Sequence, residues 1–197
     1  MNDAVESFDF EGTLRRALKN VCELSGEQSL ALRIHFELLE KWNRRINLTS
    51  IRDSREVVER HYCESVFLGH HLPAGEMTVV DVGSGGGFPG IGVAVMRPQA
   101  KITLIDSNQK KASFLRESTR HLSNVRVSGC RAEASNERFS WLISRAVAWE
   151  DLPLIGDRVA ILASEPGPEF AWQESIRLPW GHRRVLLIGE VPRGTQK

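Results

Sequence analysis

The spacing of apolar residues divides the chain into two parts, residues 1–75 and 76–197. In the first part, apolar side chains recur every three or four residues, which is the period of a helix with one buried face. The clearest stripe consists of Ala31, Ile34, Leu38, Trp42 and Ile46. A Ser-x-x-Gln capping box begins at Ser25, and Asp53 begins another helix that should end near His70. The first part is therefore predicted to form an N-terminal helical cap.

In the second part, short β-rich runs alternate with helical stretches. The predicted strands are 78–82, 101–105, 125–127, 141–143 and 159–162, and the predicted helices are 89–96, 109–122 and 149–155. This alternation implies right-handed crossovers and a mainly parallel sheet. Two further extended runs, 176–178 and 184–188, are joined by so short a link that we expect an antiparallel hairpin. The fold class is thus α/β, a Rossmann-like sheet with an antiparallel edge, forming one compact unit with the cap.

Composition and charge exclude several classes of protein. Of the 197 residues, 41% are hydrophobic and 26% are charged, with a formal net charge of +1, as in ordinary globular proteins. No apolar run approaches the roughly 18 residues that cross a bilayer, and the acidic first residues are unlike a secretory signal. The three cysteines lie far apart, which is typical of reduced thiols rather than of a disulfide framework or zinc site. We expect a cytoplasmic monomer with no metal and no membrane contact.

The most informative segment is the glycine-rich turn after the first predicted strand, Asp81-Val82-Gly83-Ser84-Gly85-Gly86-Gly87-Phe88-Pro89-Gly90. Such a turn lets a ligand approach the backbone at the edge where open α/β sheets bind ligands, which makes Gly83 and Gly85 candidate cofactor-binding residues. The turn also satisfies the dinucleotide pattern Gly-x-Gly-x-x-Gly. Asp81 favours S-adenosylmethionine instead, because its carboxylate would repel a pyrophosphate but suits a cationic amino-acid end. Another nucleotide and a purely structural turn remain the alternatives.

Asp106 ends the second predicted strand. A carboxylate at this place can accept hydrogen bonds from both ribose hydroxyls of an adenosyl group. It could also cap the helix that begins at Gln109, and the two roles are compatible.

Six motifs between about residues 35 and 150 occur together in the order of one known family. They are Trp42-Asn43 with Ile46-Asn47-Leu48-Thr49; Arg60-His61 with Glu64-Ser65; the glycine turn ending in Phe88-Pro89-Gly90; Leu104-Ile105-Asp106-Ser107 with Lys110-Lys111 and Phe114-Leu115; Arg131-Ala132-Glu133; and Ser144-Arg145-Ala146-Val147-Ala148. The chain resembles the class I methyltransferases that modify a guanine of small-subunit ribosomal RNA, also called glucose-inhibited division protein B. It departs from that family at Glu64, usually an aspartate, and at 163–167, where a Lys-Gly pair is usual.

The resemblance implies roles for individual residues. Gly83 and Phe88 would line the cofactor pocket, Ala132 and Glu133 would lie along the adenine, and Arg145 would border both cofactor and target base. Loop packing for Phe88, an ion pair for Arg145 and an ordinary surface charge for Glu133 remain alternatives. His61 and Asn47 are candidates for positioning the substrate, although a buried histidine that holds two helices together is the interpretation that we favour for His61. No residue is assigned with certainty to catalysis.

The resemblance further implies transfer of a methyl group to N7 of a guanine in 16S ribosomal RNA within the small ribosomal subunit. A local surplus of basic residues in 97–138 is compatible with contact with a polyanion, and on charge alone a solvated helix face is an equally open interpretation. The candidate phosphate contacts are Arg44, Arg45, Lys110, Lys111, Arg116 and Arg120. Three alternatives stay open: a methyltransferase for a protein or small molecule, a cofactor-binding protein that docks on the ribosome without turnover, and a nicotinamide-dependent oxidoreductase, which Asp81 argues against.

Overall fold

The N-terminal part is helical in the computed structural model, which describes residues 8–132 and 137–192. Its elements are α1 (Phe10–Leu18), α2 (Gly26–Asn43), α3 (Ser54–Val57), a π-helical turn (Val58–Cys63) and α4 (Glu64–His71), the last three being continuous. The predicted capping box is confirmed, since the Ser25 hydroxyl accepts from the Gln28 N–H and the Gln28 side chain accepts from the Ser25 N–H. Asp53 caps α3 as predicted, accepting from the Glu56 N–H at 2.8 Å.

The fully buried face of α2 is displaced from the predicted stripe. Its buried residues are Leu32, His35, Phe36 and Leu39. The predicted stripe lies at the margin of the same core, where four of its side chains are only partly buried: Ala31, Leu38, Trp42 and Ile46. The difference arises because a histidine occupies a core position, where His35 Nδ1 lies 2.7 Å from the Tyr62 hydroxyl. The spacing of apolar residues alone does not reveal this buried histidine.

Seven strands form one sheet in the order β3-β2-β1-β4-β5-β7-β6. They are β1 (Thr78–Val82), β2 (Lys101–Ile105), β3 (Val125–Ser128), β4 (Phe139–Arg145), β5 (Gly156–Ser164), β6 (Trp172–Arg177) and β7 (Arg184–Glu190). Strands β1 to β5 are parallel to one another, and β7 runs antiparallel to both β5 and β6. The predicted class, a mostly parallel α/β sheet with an antiparallel edge, is confirmed.

The two faces of the sheet are covered differently. On one face, alternate strand residues such as Val79, Leu104 and Ile143 share a core with the helical cap and with α5 (Gly90–Met96) and α6 (Gln109–Ser118). On the other face, Val80 and Leu142 pack against residues such as Leu152 and Leu154, which lie outside any α-helix. The proposed division at residue 75 stays a prediction, since one core includes side chains from both sides of it.

Two predicted helices differ from the structure. The helix predicted over 149–155 is wrong, because only a 3-10 turn, Trp149–Asp151, forms before the chain enters β5. Pro153 lies there, and a proline lacks the N–H that a helix interior needs. Helix α6 ends at Ser118 rather than near residue 122. Just after this end, the Thr119 hydroxyl donates to the Leu115 carbonyl at 2.7 Å and competes with the helical backbone for that acceptor.

No helix within residues 8–132 and 137–192 is long and apolar enough to cross a membrane.

Candidate cofactor and substrate site

The glycine turn lies between the end of β1 and the start of α5. Gly83, Gly85 and Gly87 have φ values of +73°, +56° and +90°, a region that residues with a Cβ avoid. A Cβ added at Gly83 would overlap the Val147 side chain, which follows β4. The turn therefore needs glycine both for its backbone conformation and for the close approach of the chain after β4.

Asp106 holds this turn against the end of β2. Its Oδ2 accepts from the Gly85 N–H at 2.9 Å, and its Oδ1 accepts from the Asn108 N–H at 2.9 Å. The predicted alternative of a helix cap is wrong, because Asn108 caps α6 by accepting from the backbone of Lys110 and Lys111. A carboxylate oxygen accepts more than one hydrogen bond, so Asp106 can still receive ribose hydroxyls.

Asp81 is a buried carboxylate beneath the same turn. Its side chain is fully buried, and Oδ2 accepts from the Gly90 N–H at 2.9 Å. Oδ1 is also buried, and it has no hydrogen-bond partner within residues 8–132 and 137–192. Burial raises the pKa of Asp81 to about 7, while the Gly90 hydrogen bond opposes the shift. An ammonium group from a ligand would supply the missing partner, so these residues fit S-adenosylmethionine.

A cavity of about 700 Å³ opens at the carboxyl ends of β4 and β5. Its walls include His61, Arg145, Trp149 and Arg184. This volume lies within the range of small-ligand sites, and the place is the edge where parallel α/β sheets bind ligands. Val147 lines the cavity and also lies against Gly83, so the cavity and the glycine turn are adjacent.

Glu64 is the fully buried anion of this cavity. It accepts two hydrogen bonds from Arg184, at 3.1 and 2.8 Å, and lies 3.1 Å from Arg60 Nε. Arg145 Nη1 lies 4.0 Å from the same carboxylate and donates to the Arg60 carbonyl at 2.6 Å. Burial lowers the pKa of Arg145 to about 10, and Glu64 opposes that shift, so Arg145 stays cationic. The ion pair expected for Arg145 is thus present.

Comparison with known proteins assigns the chain to a family. The GidB family, described as rRNA small subunit methyltransferase G, matches residues 28–152. The chain belongs to this family. A relative from Xanthomonas euvesicatoria, named ribosomal RNA small subunit methyltransferase G, is 41% identical over 75% of this chain and 70% of its own. A relative of the same name from Xylella fastidiosa is 42% identical over the same shares.

The fold comparison agrees with this assignment. A candidate RNA methyltransferase from Pyrococcus horikoshii superposes with a TM-score of 0.50 and 14% identity, covering 82% of this chain and 98% of that one. At this identity the likeness concerns the fold alone. The family match identifies the protein as a methyltransferase. The superposition shows that its sheet is that of the class I methyltransferase fold.

Two residues of the family motifs, His61 and Phe88, form one stacked pair. Their ring centroids lie 4.7 Å apart, and His61 Nε2 lies 2.7 Å from the Thr49 hydroxyl. Burial, with the nearby cation of Arg145, lowers the pKa of His61 to about 3, so its ring is neutral. Phe88 is buried, and its ring lies 5.3 Å from the Arg145 guanidinium carbon. His61 joins the loop after α2 to the π-helical turn and also lines the cavity.

The other motif positions lie apart from this pair. Asn47 is exposed and is not among the described residues that line the cavity. Its neighbour Asn43 instead holds the loop, accepting from the Leu48 and Thr49 N–H groups. Ala132 is buried after β3, whereas Glu133 lies outside the described residues.

The six candidate phosphate contacts do not form one cluster. Arg45 and Lys110 line a shared groove with Trp42, and Lys111 follows on the same helix. Arg44 faces a different groove. The Arg116 guanidinium lies beside Gly129, and Arg120 is exposed beyond the end of α6.

Two of the three arginines that surround Glu64 were not predicted as site residues. Arg60 is part of a family motif but received no role, and Arg184 lies beyond the family match. A buried carboxylate needs a cation beside it, so a basic partner for Glu64 could have been expected. No local sequence pattern identifies which basic residue that partner is, because Arg184 lies 120 residues away. Among the described residues, no three metal-ligating side chains are grouped together.

Proposed function

We propose that this protein transfers a methyl group from S-adenosylmethionine to N7 of a guanine in 16S ribosomal RNA, acting as a cytoplasmic monomer on the small ribosomal subunit. Family membership supports the reaction class and the substrate class. The observation that carries the proposal within the fold is the unpartnered Oδ1 of Asp81, beneath a glycine turn and next to the arginine-lined cavity. A cationic ligand end and an anionic substrate thus meet at one edge of the sheet.

The cofactor would lie along the ends of β1 and β2. Asp81 would hold its ammonium group, Asp106 its ribose hydroxyls, and the backbone of Gly83 and Gly85 would permit the close approach. Ala132 and Glu133 are proposed to flank the adenine. When bound, S-adenosylmethionine supplies a methyl group on a positively charged sulfur, which is the electrophile of the reaction.

The target nitrogen needs no general base. Guanine N7 carries a lone pair and no proton, so the protein has to align N7 with the methyl group and exclude water. Holding two reactants in line can lower a barrier by roughly 7–11 kcal/mol. The neutral ring of His61, fixed on Phe88, fits a positioning role better than proton transfer.

The charge of the product sets a second requirement. Methylation at N7 makes the purine cationic, so a free guanidinium beside it would oppose the reaction. Arg145 is restrained by the Arg60 carbonyl and by Glu64, which limits its approach to the base. An A-form duplex hides N7 in its narrow major groove, so the target guanine must be unstacked, and the cavity is large enough to receive it.

Methyl transfer from radiolabelled cofactor tests the proposal. Small subunits from a strain lacking its own enzyme should be labelled, and chemical cleavage at 7-methylguanosine should locate the label in 16S RNA. Bare RNA and a protein extract are assayed in parallel. Label in protein alone, or binding of S-adenosylhomocysteine with no transfer to any substrate, would replace the proposal with one of its alternatives.

Two aspartate variants separate the site from general effects. Asp81→Asn should reduce transfer and cofactor affinity together, since it removes the charge that faces the ammonium group. Asp157→Asn is the matched control, because Asp157 is exposed and forms an ion pair with Arg138 at 2.7 Å, away from the glycine turn. Equal activity of both variants would contradict the placement of the cofactor.

A further inference from the structure

Three arginines from distant parts of the chain converge at the cavity. Arg60 comes from the π-helical turn, Arg145 ends β4, and Arg184 begins β7. All three lie within 4.0 Å of the Glu64 carboxylate and line the cavity. Their side chains are 35%, 15% and 11% exposed, respectively, while that of Glu64 is 0% exposed.

The charges at this point do not balance. Glu64 faces three guanidinium groups, and among the described residues that line the cavity the other charged side chain, Glu150, is exposed. Asp81, a second buried carboxylate, acts on Arg145 from outside the cavity wall and has a pKa raised to about 7, so it offsets the three cations only in part. His61 contributes no positive charge, since its ring is neutral. The inner wall of the cavity is therefore cationic and partly desolvated, a setting in which an anionic ligand binds strongly.

Arg184 retains donors that can face such a ligand. Its Nε and Nη2 atoms donate to Glu64, and Nη1 donates to the Ser164 hydroxyl at 3.1 Å. Each terminal nitrogen carries a second N–H, so the planar fork is fixed by Glu64 and Ser164 while hydrogens remain free. A guanidinium held in this way is preorganised for a phosphate oxygen.

The position of Arg184 follows from strand pairing. Ser164 of β5 pairs with Arg184 of β7 in antiparallel register. This brings a cation to the end of β5, where the sequence reads Ala163-Ser164-Glu165. Arg184 lies beyond the family match, which ends at residue 152.

We propose that Arg184, together with Arg60 and Arg145, binds a backbone phosphate of the RNA next to the target guanine. This proposal rests on the proposed function and names a contact within it. The guanidinium groups would hold the phosphate at the inner wall of the cavity and leave the open side to the base.

Steady-state kinetics with small subunits tests the contact. Arg184→Gln should raise the KM for subunits about tenfold, as expected for one charge-assisted hydrogen bond, and leave the KM for S-adenosylmethionine within twofold. The slope of log affinity against log salt concentration should fall by about 0.7 for the lost phosphate contact. Arg177→Gln is the matched control, since Arg177 lies on the same hairpin, is 75% exposed and pairs with Glu165; it should change none of these quantities.

Several outcomes would overturn the assignment. If Arg184→Gln lowers the stability but leaves the slope of log affinity against log salt concentration unchanged, the role of Arg184 is to pair with Glu64 and not to bind phosphate. A rise in the KM for cofactor alone would mean that the anion is the cofactor's own carboxylate. If Arg184→Gln does not fold, Arg60→Gln, at a more exposed member of the same group, must show the same loss of slope.

Failure of the proposed function would be separately visible. Binding of small subunits to the unmodified protein and to both arginine variants can be measured without turnover. A wild-type protein that binds subunits but transfers no methyl group overturns the methyltransferase proposal, whereas unchanged binding by Arg184→Gln overturns the phosphate contact.

Discussion

Replacing Glu64 by glutamine tests how much one buried carboxylate stabilises the three arginines that surround it in the cavity. The substitution preserves the shape of the side chain and removes its charge, while Arg145 and Arg184 stay 15% and 11% exposed. Removing one partner of a buried ion pair costs about 3–5 kcal/mol, because the other charge is left uncompensated. Arg60 is 35% exposed and regains water, so we expect the lower end of this range, about 3 kcal/mol.

This loss is large enough to measure directly. For a chain of this length, 1 kcal/mol shifts the melting temperature by roughly 2–4 °C, so Glu64→Gln should lower it by roughly 6–12 °C. Urea unfolding, followed by tryptophan fluorescence, gives the free energy independently. Glu64→Asp keeps the charge and should recover part of the stability.

An exposed carboxylate provides the control. Glu11→Gln removes an ion pair with Arg33 whose side chains are 37% and 41% exposed, and such pairs contribute at most about 1 kcal/mol. A Glu64→Gln loss no larger than that of Glu11→Gln would refute the view that the arginine cluster is desolvated.

Three further predictions follow from the turn and the buried titratable groups. Gly83→Ala should abolish S-adenosylhomocysteine binding in calorimetry, because its Cβ would overlap Val147, whereas Gly75→Ala, also at positive φ but with open space around it, should not. Cofactor affinity should rise with pH through about 7, because Asp81 then ionises in the folded protein. Over the interval from pH 3.8 to about 7, the contribution of Asp81 to the stability of the free protein should fall as the pH rises, since only the unfolded chain has lost this proton. Asp81→Asn should remove both contributions. Burial lowers the pKa of His35 from 6.5 to about 3, so its contribution to stability should be present above pH 6.5 and lost towards pH 3, as urea unfolding at several pH values would show.

Each of these has a clear contrary result. Equal cofactor binding by the Gly83 and Gly75 variants would remove the steric argument for the turn. An affinity independent of pH would separate Asp81 from the ammonium group. A pH dependence of stability between pH 6.5 and 4 that is the same in the unmodified protein and in His35→Asn would mean that His35 does not contribute to it; the comparison is needed because His61 and Asp81 also titrate differently in the folded and unfolded chain over this interval.

Local sequence determined much of the fold because its signals act between near neighbours. Strands β1 and β2 occupy the predicted residues, since short β-rich runs there end at turn-forming residues. The capping box at Ser25 and the glycine turn after β1 are likewise contained in a few consecutive residues. Asp81 and Asp106 could be selected because strand ends in a parallel sheet meet at one edge.

Tertiary structure alone decided the composition of the cavity. Arg184 meets Glu64 across 120 residues of sequence, and it does so because β7 enters the sheet antiparallel to β5. His35 is buried because Tyr62 supplies its hydrogen bond from another helix, a compensation that no periodicity reveals. In each case the deciding interaction joins groups that only the folded chain brings together, so its energy has no counterpart in local sequence.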